Sequence, residues 1–324
     1  MRRQQEQEQE QEQQQEANQW SSPPPSSPPP SSPPPSSSNL SNKLLILLYD
    51  SIRWEEKALY EAGIKKGVKI ENVNCKNLAI NLNDKNSKYR EQVVLQRSIS
   101  YFKSVHSTAV LQGLGARVIN PLHAAIMCGN KMYAHMELEK AGIRTPKAVA
   151  AFSEESAIEI LDKIGYPAVI KPTVGSWGRL IALLRDKDAA RAIIEDREHM
   201  FPLYQVYYFE EFVSRPPRDI RAIVIGDKVA AAIYRYSGAG EWKTNMALGG
   251  HAEMCPVTNE LEDICLKATN ALNGQIVGVD LMESNSEGLV VHEVNNTTEF
   301  KNTVRVTGVD IPGLMIDYAL GQGK

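Results

Sequence analysis

The stretch IVGVDLMESNSEGLVVHEVN, residues 276–295, is the most informative segment of this 324-residue chain. Two runs rich in apolar and β-branched residues flank the polar residues Asn285–Glu287, a pattern typical of a β-hairpin. We predict one strand at Ile276–Glu283 and its partner at Gly288–Asn295. The C-terminal part of the chain is therefore predicted to be built on a sheet, and the other motifs are interpreted relative to it.

Two carboxylates and an amide are predicted to meet on one face of this hairpin. Glu293 and Asn295 are two residues apart in their strand and so share a face, and the hairpin register brings Asp280 roughly opposite them. Oxygen ligands without His or Cys favour Mg²⁺, which commonly bridges carboxylates to nucleotide phosphates. A solvent-facing polar hairpin is the alternative, although the apolar neighbours of these residues argue against full exposure.

Two strands further upstream carry paired charges. Asp219–Ile225 and Lys228–Tyr234 are predicted strands joined by a Gly-Asp turn. Asp219 and Arg221 share one strand face, and Arg235 lies one strand further on. Buried arginines need an anionic partner, and a transferring phosphoryl group would be one. Salt bridges within the sheet explain the pattern equally well.

A lysine followed by a glycine turn ends an earlier strand, Pro167–Lys171. Lys171 can aim its ammonium group into a cleft, and backbone N–H groups of the turn at residues 174–179 can close over phosphates. The segment is not a Walker A loop, because Lys171 precedes the glycines. An ordinary hairpin turn is the alternative.

The rest of the chain from residue 42 alternates between helices and strands, which predicts an α/β (α+β) fold. Residues 42–120 have the pattern of a small parallel-sheet domain. A helical run from Asn120 to Ala141, stopped by Gly142, then leads into a compact α+β lobe. We predict boundaries at residues 42–120, 121–205 and 206–324 for the N-terminal domain, the linker helix with the central lobe, and the C-terminal lobe.

Residues 1–41 are a low-complexity extension. A Gln/Glu tract at Gln4–Glu16 precedes three Ser/Pro blocks between Ser21 and Ser38. Neither composition can bury a core, so we predict disorder. A dispensable extension is the simple interpretation, and docking of proline-binding modules is the alternative.

Bulk composition excludes several classes of function. A net charge of −3 gives no basic excess for nucleic-acid binding. The longest strongly apolar run, Leu44–Tyr49, cannot cross a bilayer, which predicts a cytoplasmic protein without a membrane partner. The cysteines form no C-x-x-C pair and are predicted to be reduced packing thiols; they are Cys75, Cys128, Cys255 and Cys265.

The order of these motifs resembles the ATP-grasp superfamily and, within it, the RimK-like ligases. The resemblance runs from about Leu44 to the C-terminus and rests on an ordered set: Lys131, Lys171-Pro172, Gly175-Ser176-Trp177-Gly178, Glu210-Glu211-Phe212-Val213, Asp219-Ile220-Arg221, Asp280 and Glu293-Val294-Asn295. Within that group the chain is similar to the family of alpha-aminoadipate–LysW ligases, on the residues of Tyr49–Lys57, Gly175–Arg179 and Glu293–Asn302.

The resemblance implies an ATP-grasp fold, with an N-terminal parallel-sheet domain, a small central lobe and a C-terminal mixed-sheet lobe, and with ATP between the two lobes. The implied ATP-binding residues are Lys131, Lys171, Gly175, Ser176, Trp177, Gly178, Glu210, Glu211, Phe212, Val213 and Asp219, the last as a substitute for a ribose-binding acid. Two magnesium ions are implied at Asp280, Glu293 and Asn295. The implied catalytic residues are Arg221, Arg235 and Asn245, and the implied amino-acid site comprises Asn296, Thr297, Thr298, Phe300 and Asn302.

The implied reaction belongs to lysine biosynthesis. It joins the α-amine of 2-aminoadipate, through an acyl phosphate, to the C-terminal glutamate side chain of the small acidic carrier protein LysW. Alternatives are a glutamate–LysW ligase, and a RimK-like enzyme that adds glutamate to a protein tail. A non-catalytic nucleotide-binding regulator would be expected to lack metal ligands or phosphate-binding lysines, and none is missing here. Relatives imply a homo-oligomer, a dimer or a tetramer.

Overall fold

The computed structural model describes residues 44–175, 178–238, 242–244 and 250–321. The predicted extension at 1–41 lies outside these ranges, as do Ser176, Trp177 and Asn245. The described residues form an α/β structure with three sheets, one parallel and two antiparallel. Among the described residues, no helix has the length and apolar character needed to cross a bilayer.

The N-terminal domain is a parallel sheet with flanking helices. Its elements are β1 (Leu45–Tyr49), α1 (Trp54–Lys65), β2 (Ile70–Asn74), β3 (Val93–Gln96), α2 (Tyr101–Gly113) and β4 (Arg117–Ile119). The strand order is β2-β1-β3-β4, and neighbouring strands run parallel. Strand β3 was not predicted, and it completes the sheet between β1 and β4. Its four residues are all buried, as in a strand covered on both faces.

The predicted helical run from Asn120 to Ala141 is two helices, α3 (Leu122–Gly129) and α4 (Lys131–Lys140). Asn130 interrupts the run because its backbone is extended, with φ −123° and ψ 111°. Its side chain accepts hydrogen bonds from the backbone N–H groups of Met132 and Tyr133, so it is the N-cap of α4. The break makes Lys131 the first residue of a helix.

The central lobe is an antiparallel sheet in the order β5-β8-β6-β7 with two helices packed on it. Its elements are β5 (Ala148–Ala151), α5 (Glu154–Ile164), β6 (Ala168–Lys171), β7 (Ala182–Leu184), α6 (Lys187–Glu198), a 3₁₀ turn (Pro202–Gln205) and β8 (Tyr207–Glu211). Strand β5 was not predicted. Ser153 and Asp186 cap the two helices by accepting backbone N–H bonds.

The C-terminal lobe is a five-stranded sheet in the order β11-β10-β9-β12-β13. Its elements are β9 (Arg218–Ile225), β10 (Lys228–Tyr236), β11 (His251–Cys255), α7 (Asn259–Ala271), β12 (Ile276–Ser284), β13 (Gly288–Asn295), α8 (Lys301–Thr307) and α9 (Ile311–Leu320). A mixed sheet was expected, but every pair is antiparallel. Short hairpins join β9 to β10 and β12 to β13, and such connections require antiparallel neighbours.

The apolar cores of the described residues determine how these parts are joined, and one of the four lies within the N-terminal domain. One core contains residues of β1, β3 and α1 together with residues of β9, β10, β12 and α9, so the N-terminal domain and the C-terminal sheet share it. On the other face of the C-terminal sheet, α3, α4 and α7 pack in a second core. The central lobe has its own core. A cleft between the central and C-terminal sheets follows from this arrangement.

Candidate functional site

A cavity of about 1350 Å³ lies in this cleft, and residues of all three parts line it. The loop after β6, the end of β8 and the charged faces of β9, β12 and β13 form most of its wall. Residues at the start of α1 and α2 close the side toward the N-terminal domain. The cavity is large enough for a nucleotide and a second substrate.

Lys171 ends β6 and is buried beside Glu210 of β8, with which it forms an ion pair. Residues Val169 and Glu210 are directly paired, so the two charged side chains lie diagonally on one face of the sheet. The Tyr208 hydroxyl donates to Glu210 at 3.0 Å. Burial, together with that carboxylate, holds the pKa of Tyr208 far above its ordinary value. Tyr208 is therefore a neutral donor that supports Glu210.

Lys131 connects the loop after β6 to the last hairpin. Its Nζ lies 2.7 Å from the Gly175 carbonyl oxygen and 3.2 Å from a Glu293 carboxylate oxygen. Its backbone N–H donates to the Thr173 carbonyl at 2.8 Å. The two predicted phosphate-binding lysines thus line the same cavity from two elements. The predicted Gly175 and Gly178 line it too.

The end of β8 and the residues after it were expected to bind ATP, and they form one wall of the cavity. Glu211, Phe212 and Val213 line the cavity with Glu210, and the strand ends at Glu211. The backbone N–H of Glu211 donates to the Lys147 carbonyl at 2.8 Å, which fixes the end of the strand. The Phe212 ring meets the Trp242 ring edge-on at 6.3 Å.

Acids and arginines alternate across β10, β9 and β12 on the cavity face. Asp280 is opposite Arg221 in the sheet and forms an ion pair with both its Nε and Nη2 groups. Arg235 binds the Asp219 carboxylate at 2.7 and 2.8 Å and reaches Asp280 at 3.1 Å. Burial alone would raise the pKa of Asp280, but Arg221 and Arg235 hold it below its ordinary value. The carboxylate is therefore charged at neutral pH.

The predicted magnesium ligands come together. Asp280 and Glu293 are directly paired across β12 and β13, and Asn295 donates to Asp280 at 3.4 Å. Among the described residues, no group of three or more His, Cys, Asp or Glu side chains is arranged for a metal. Mg²⁺ is commonly held by one or two carboxylates together with substrate phosphates, so this all-oxygen donor set fits it.

A β-bulge in β13 brings His292 to the site, where the sequence pattern does not predict it. Asp280 pairs with Glu293 but Leu281 pairs with Val291, so His292 is the extra residue. His292 and Glu293 both line the cavity, whereas strict alternation would place them on opposite faces. Burial and, second, the Lys171 charge lower the pKa of His292. The only sequence signal was a His beside a predicted metal ligand.

The short segment Trp242–Thr244 was also not predicted, and it links the two lobes. The Lys243 ammonium group donates to the carbonyl oxygens of Ile181 at 2.8 Å and Gly178 at 3.4 Å. The Thr244 hydroxyl binds Asp219, which also holds Arg235. Asp219 lines the cavity, and its assignment to the ribose stays a prediction.

Four of the five residues predicted to bind the amino acid line the cavity: Asn296, Thr297, Thr298 and Asn302. Phe300 does not contribute to this wall. Its ring is fully buried in the core shared with the N-terminal domain and meets the Trp54 ring edge-on at 5.9 Å. This position suits packing instead of contact with a ligand.

Two family models match the chain. The RimK-like ATP-grasp domain matches residues 128–319, and the LysX preATP-grasp domain matches residues 45–127. The alpha-aminoadipate–LysW ligase LysX of Sulfurisphaera tokodaii is 38% identical over 276 residues, covering 84% of this chain and 96% of the relative. The glutamate–LysW ligase ArgX of Sulfolobus acidocaldarius is 33% identical over 273 residues, covering 84% of this chain and 96% of the relative.

Solved structures match over a similar length. The crystal structure of a RimK domain ATP-grasp protein from Sphaerobacter thermophilus has a TM-score of 0.68 and 25% identity, covering 86% of this chain and 100% of the other. The ATP-grasp ligase PsnB in complex with a phosphomimetic precursor variant, Mg and ADP has a TM-score of 0.66 and 18% identity, covering 87% of this chain and 99% of the other. The second likeness concerns the fold alone.

Proposed function

This chain belongs to the RimK-like ATP-grasp ligases, enzymes that form C–N bonds, and we propose that it joins the α-amine of 2-aminoadipate to the C-terminal glutamate side chain of LysW. The reaction would consume ATP and release ADP and phosphate. The observation that carries this proposal is that one cavity is lined by Lys131, Lys171, Arg221, Arg235 and the Asp280–Glu293 pair.

The phosphate side of the reaction is supported by the charges of the cleft. Lys131 and Lys171 would bind the ATP phosphates, and the segment Glu210–Val213 would receive adenine. Asp280, Glu293 and Asn295 would hold one or two magnesium ions, which neutralise charge on the transferring phosphoryl group when bound.

We propose two successive bond changes. A carboxylate oxygen of the LysW glutamate attacks the γ-phosphorus, and ADP leaves. The amine of 2-aminoadipate then attacks the acyl carbon, a proton leaves the nitrogen, and phosphate departs. The guanidinium groups of Arg221 and Arg235 are held in place by Asp280 and Asp219. They would therefore stabilise the acyl phosphate and its tetrahedral adduct. Asn245, predicted to assist them, lies outside the described residues.

The amino-acid side is supported by the relatives and by the position of Asn296–Thr298 on the cavity wall. A glutamate–LysW ligase is the second candidate, because ArgX is also similar to this chain. The two acceptors differ by one methylene, which a pocket distinguishes by only roughly 1–3 kcal/mol. A dual-substrate enzyme is therefore physically reasonable.

The test is phosphate release from ATP by the purified chain with LysW, comparing 2-aminoadipate and glutamate at equal concentrations. We expect release only when ATP, LysW and an amino acid are all present, with 2-aminoadipate preferred. Mass spectrometry should show LysW increased by one aminoadipate residue. Turnover that needs glutamate and a different acceptor would support the protein-tail alternative. The cytoplasmic location and the dimer or tetramer stay predictions from the sequence.

A further inference from the structure

The loop of residues 296–301, here called the acceptor loop, follows the last hairpin in sequence but is held by the N-terminal domain. Asn120 donates to the Asn296 carbonyl at 2.9 Å. Arg97 donates through Nη2 to the Thr298 carbonyl at 3.0 Å. Both donors are buried, so these bonds are shielded from water. The backbone of the loop is therefore fixed by side chains from another domain.

A carboxylate from α1 holds the far end of the acceptor loop. Glu55 accepts hydrogen bonds from the backbone N–H groups of Phe300 at 3.2 Å and Lys301 at 3.1 Å. These groups open α8, where backbone N–H groups have no partner within the helix. Glu55 is itself buried and thereby joins the start of α1 to the start of α8.

Arg97 is the central group of this contact. It is 3% exposed, and its Nε donates to Glu56 at 3.1 Å, so one guanidinium group joins a carboxylate of α1 to a carbonyl of the acceptor loop. Glu56 also binds Arg53, which lines the cavity. Arg97 itself does not line the cavity. Its influence on a substrate must therefore pass through the groups that it binds, which are the acceptor loop on one side and Glu56 with Arg53 on the other.

Thr298 connects Arg97 to β12, the strand that contains Asp280. Its side chain is buried against Gly278 of β12. A Cβ atom at position 278 would lie 2.8 Å from the Thr298 Cβ and 3.3 Å from the Arg221 Cδ. The loop, the strand of Asp280 and the Arg221 side chain are thus in direct contact around one glycine.

We propose that Arg97 is a positioning residue that sets the geometry of the acceptor amino-acid pocket from outside the ATP-grasp lobes. By fixing the Thr298 carbonyl, it holds the acceptor loop against β12. The inference rests on the proposed function only in naming the amino acid. The lysines that line the phosphate end receive no bond from Arg97 among the contacts of the described residues, so the effect is specific to the acceptor.

The test compares Arg97→Lys and Arg97→Met with the wild-type chain. The KM for 2-aminoadipate and the KM for ATP are measured separately with LysW present. Lysine keeps the charge but cannot reach both Glu56 and the Thr298 carbonyl as a forked guanidinium does. We expect the amino-acid KM to rise at least about tenfold while the ATP KM stays within about twofold, since a displaced pocket weakens one substrate only.

Arg117→Lys is the matched control. Arg117 also joins the N-terminal domain to a C-terminal carbonyl, that of Ala319 at 3.0 Å, but it does not line the cavity or touch the acceptor loop. This variant should leave both KM values unchanged. An equal rise of both KM values in the Arg97 variants, or an unchanged amino-acid KM, would overturn the inference.

Hydrogen exchange of residues 296–301 provides a readout that does not need turnover. The Arg97→Lys variant should exchange faster there, and unchanged exchange would also overturn the inference. If the wild-type chain shows no turnover, the proposed function fails while exchange still decides the role of Arg97. If thermal melting shows that neither Arg97 variant folds, Glu56→Ala, which removes the carboxylate that holds Arg97, is compared with Glu56→Gln, which keeps an oxygen acceptor. Faster exchange of residues 296–301 in Glu56→Ala alone supports the inference, and equal exchange in the two variants contradicts it.

Discussion

Replacing Gly278 by alanine should displace the acceptor loop. The added Cβ would lie 2.8 Å from the Thr298 Cβ and closer still to its Oγ1. Carbon atoms normally pack at about 3.5–4.0 Å, so the two chains must separate by on the order of 1 Å. Overpacking of this kind costs about 1–3 kcal/mol of stability. A misplacement of about 1 Å at a reaction site lowers rate by on the order of 10²-fold.

Two assays check this prediction. Phosphate release with ATP, LysW and 2-aminoadipate measures kcat/KM, and urea unfolding measures stability. Gly113→Ala is the control: Gly113 ends α2, its added Cβ meets nothing within 4 Å, and alanine there should be neutral or stabilising by up to about 1 kcal/mol. Wild-type turnover and stability in Gly278→Ala would refute the reasoning, because Thr298 would then not be fixed against β12.

Three further predictions concern the metal ligands, acid stability and the thiols. Glu293→Ala should lower turnover by on the order of 10²-fold or more with little change in melting temperature, and unchanged turnover would remove Glu293 from the metal site. Burial raises the pKa of Glu56 and of Asp280, but the neighbouring arginines lower it by more, so both folded-state pKa values lie below the ordinary 4.5 and 3.8. The stability that these two charges contribute is therefore fully present above the ordinary values and is lost as the pH falls below them. The melting temperature should therefore fall steeply below about pH 5, and less steeply in Glu56→Gln. A melting temperature that stays constant down to pH 3 would contradict this. Burial raises the pKa of Cys128 and Cys265 to about 12, so iodoacetamide at pH 8 should label the partly exposed Cys75 and spare both in the folded protein, as mass spectrometry would show.

The elements that the sequence predicts best are those with a strong local signal. The hairpin of β12 and β13 lies within one residue of its predicted bounds, because alternation and a polar turn specify it. The Gly129-Asn130 pair that separates α3 from α4 was a readable stop and start signal that the long helical run masked. Strands β3, β5 and β11 were missed because runs of four or five residues carry too little periodicity.

The candidate site was predictable where it depends on order along the chain, and less so where it depends on register. The strand positions of Asp280, Glu293 and Asn295 follow from alternation, and the structure brings these residues together. The bulge at His292 has no local signature in the sequence, because it depends on pairing with β12. The bonds of Arg97 and Asn120 to the acceptor loop span 201 and 176 residues, distances over which no local pattern operates.

The core shared by the N-terminal domain and the C-terminal sheet has a mechanical consequence. Separating those two parts would expose its apolar surface to water, whereas the central lobe keeps a core of its own. The Lys131–Gly175 and Lys243–Ile181 bonds that cross to the central lobe are polar, and water can replace them at little cost. The contacts of the central lobe with the rest of the molecule are therefore easier to break than the shared core. If the cleft opens along these polar contacts, residues 296–302, Arg221 and Arg235 stay together on the part of the molecule that contains the shared core.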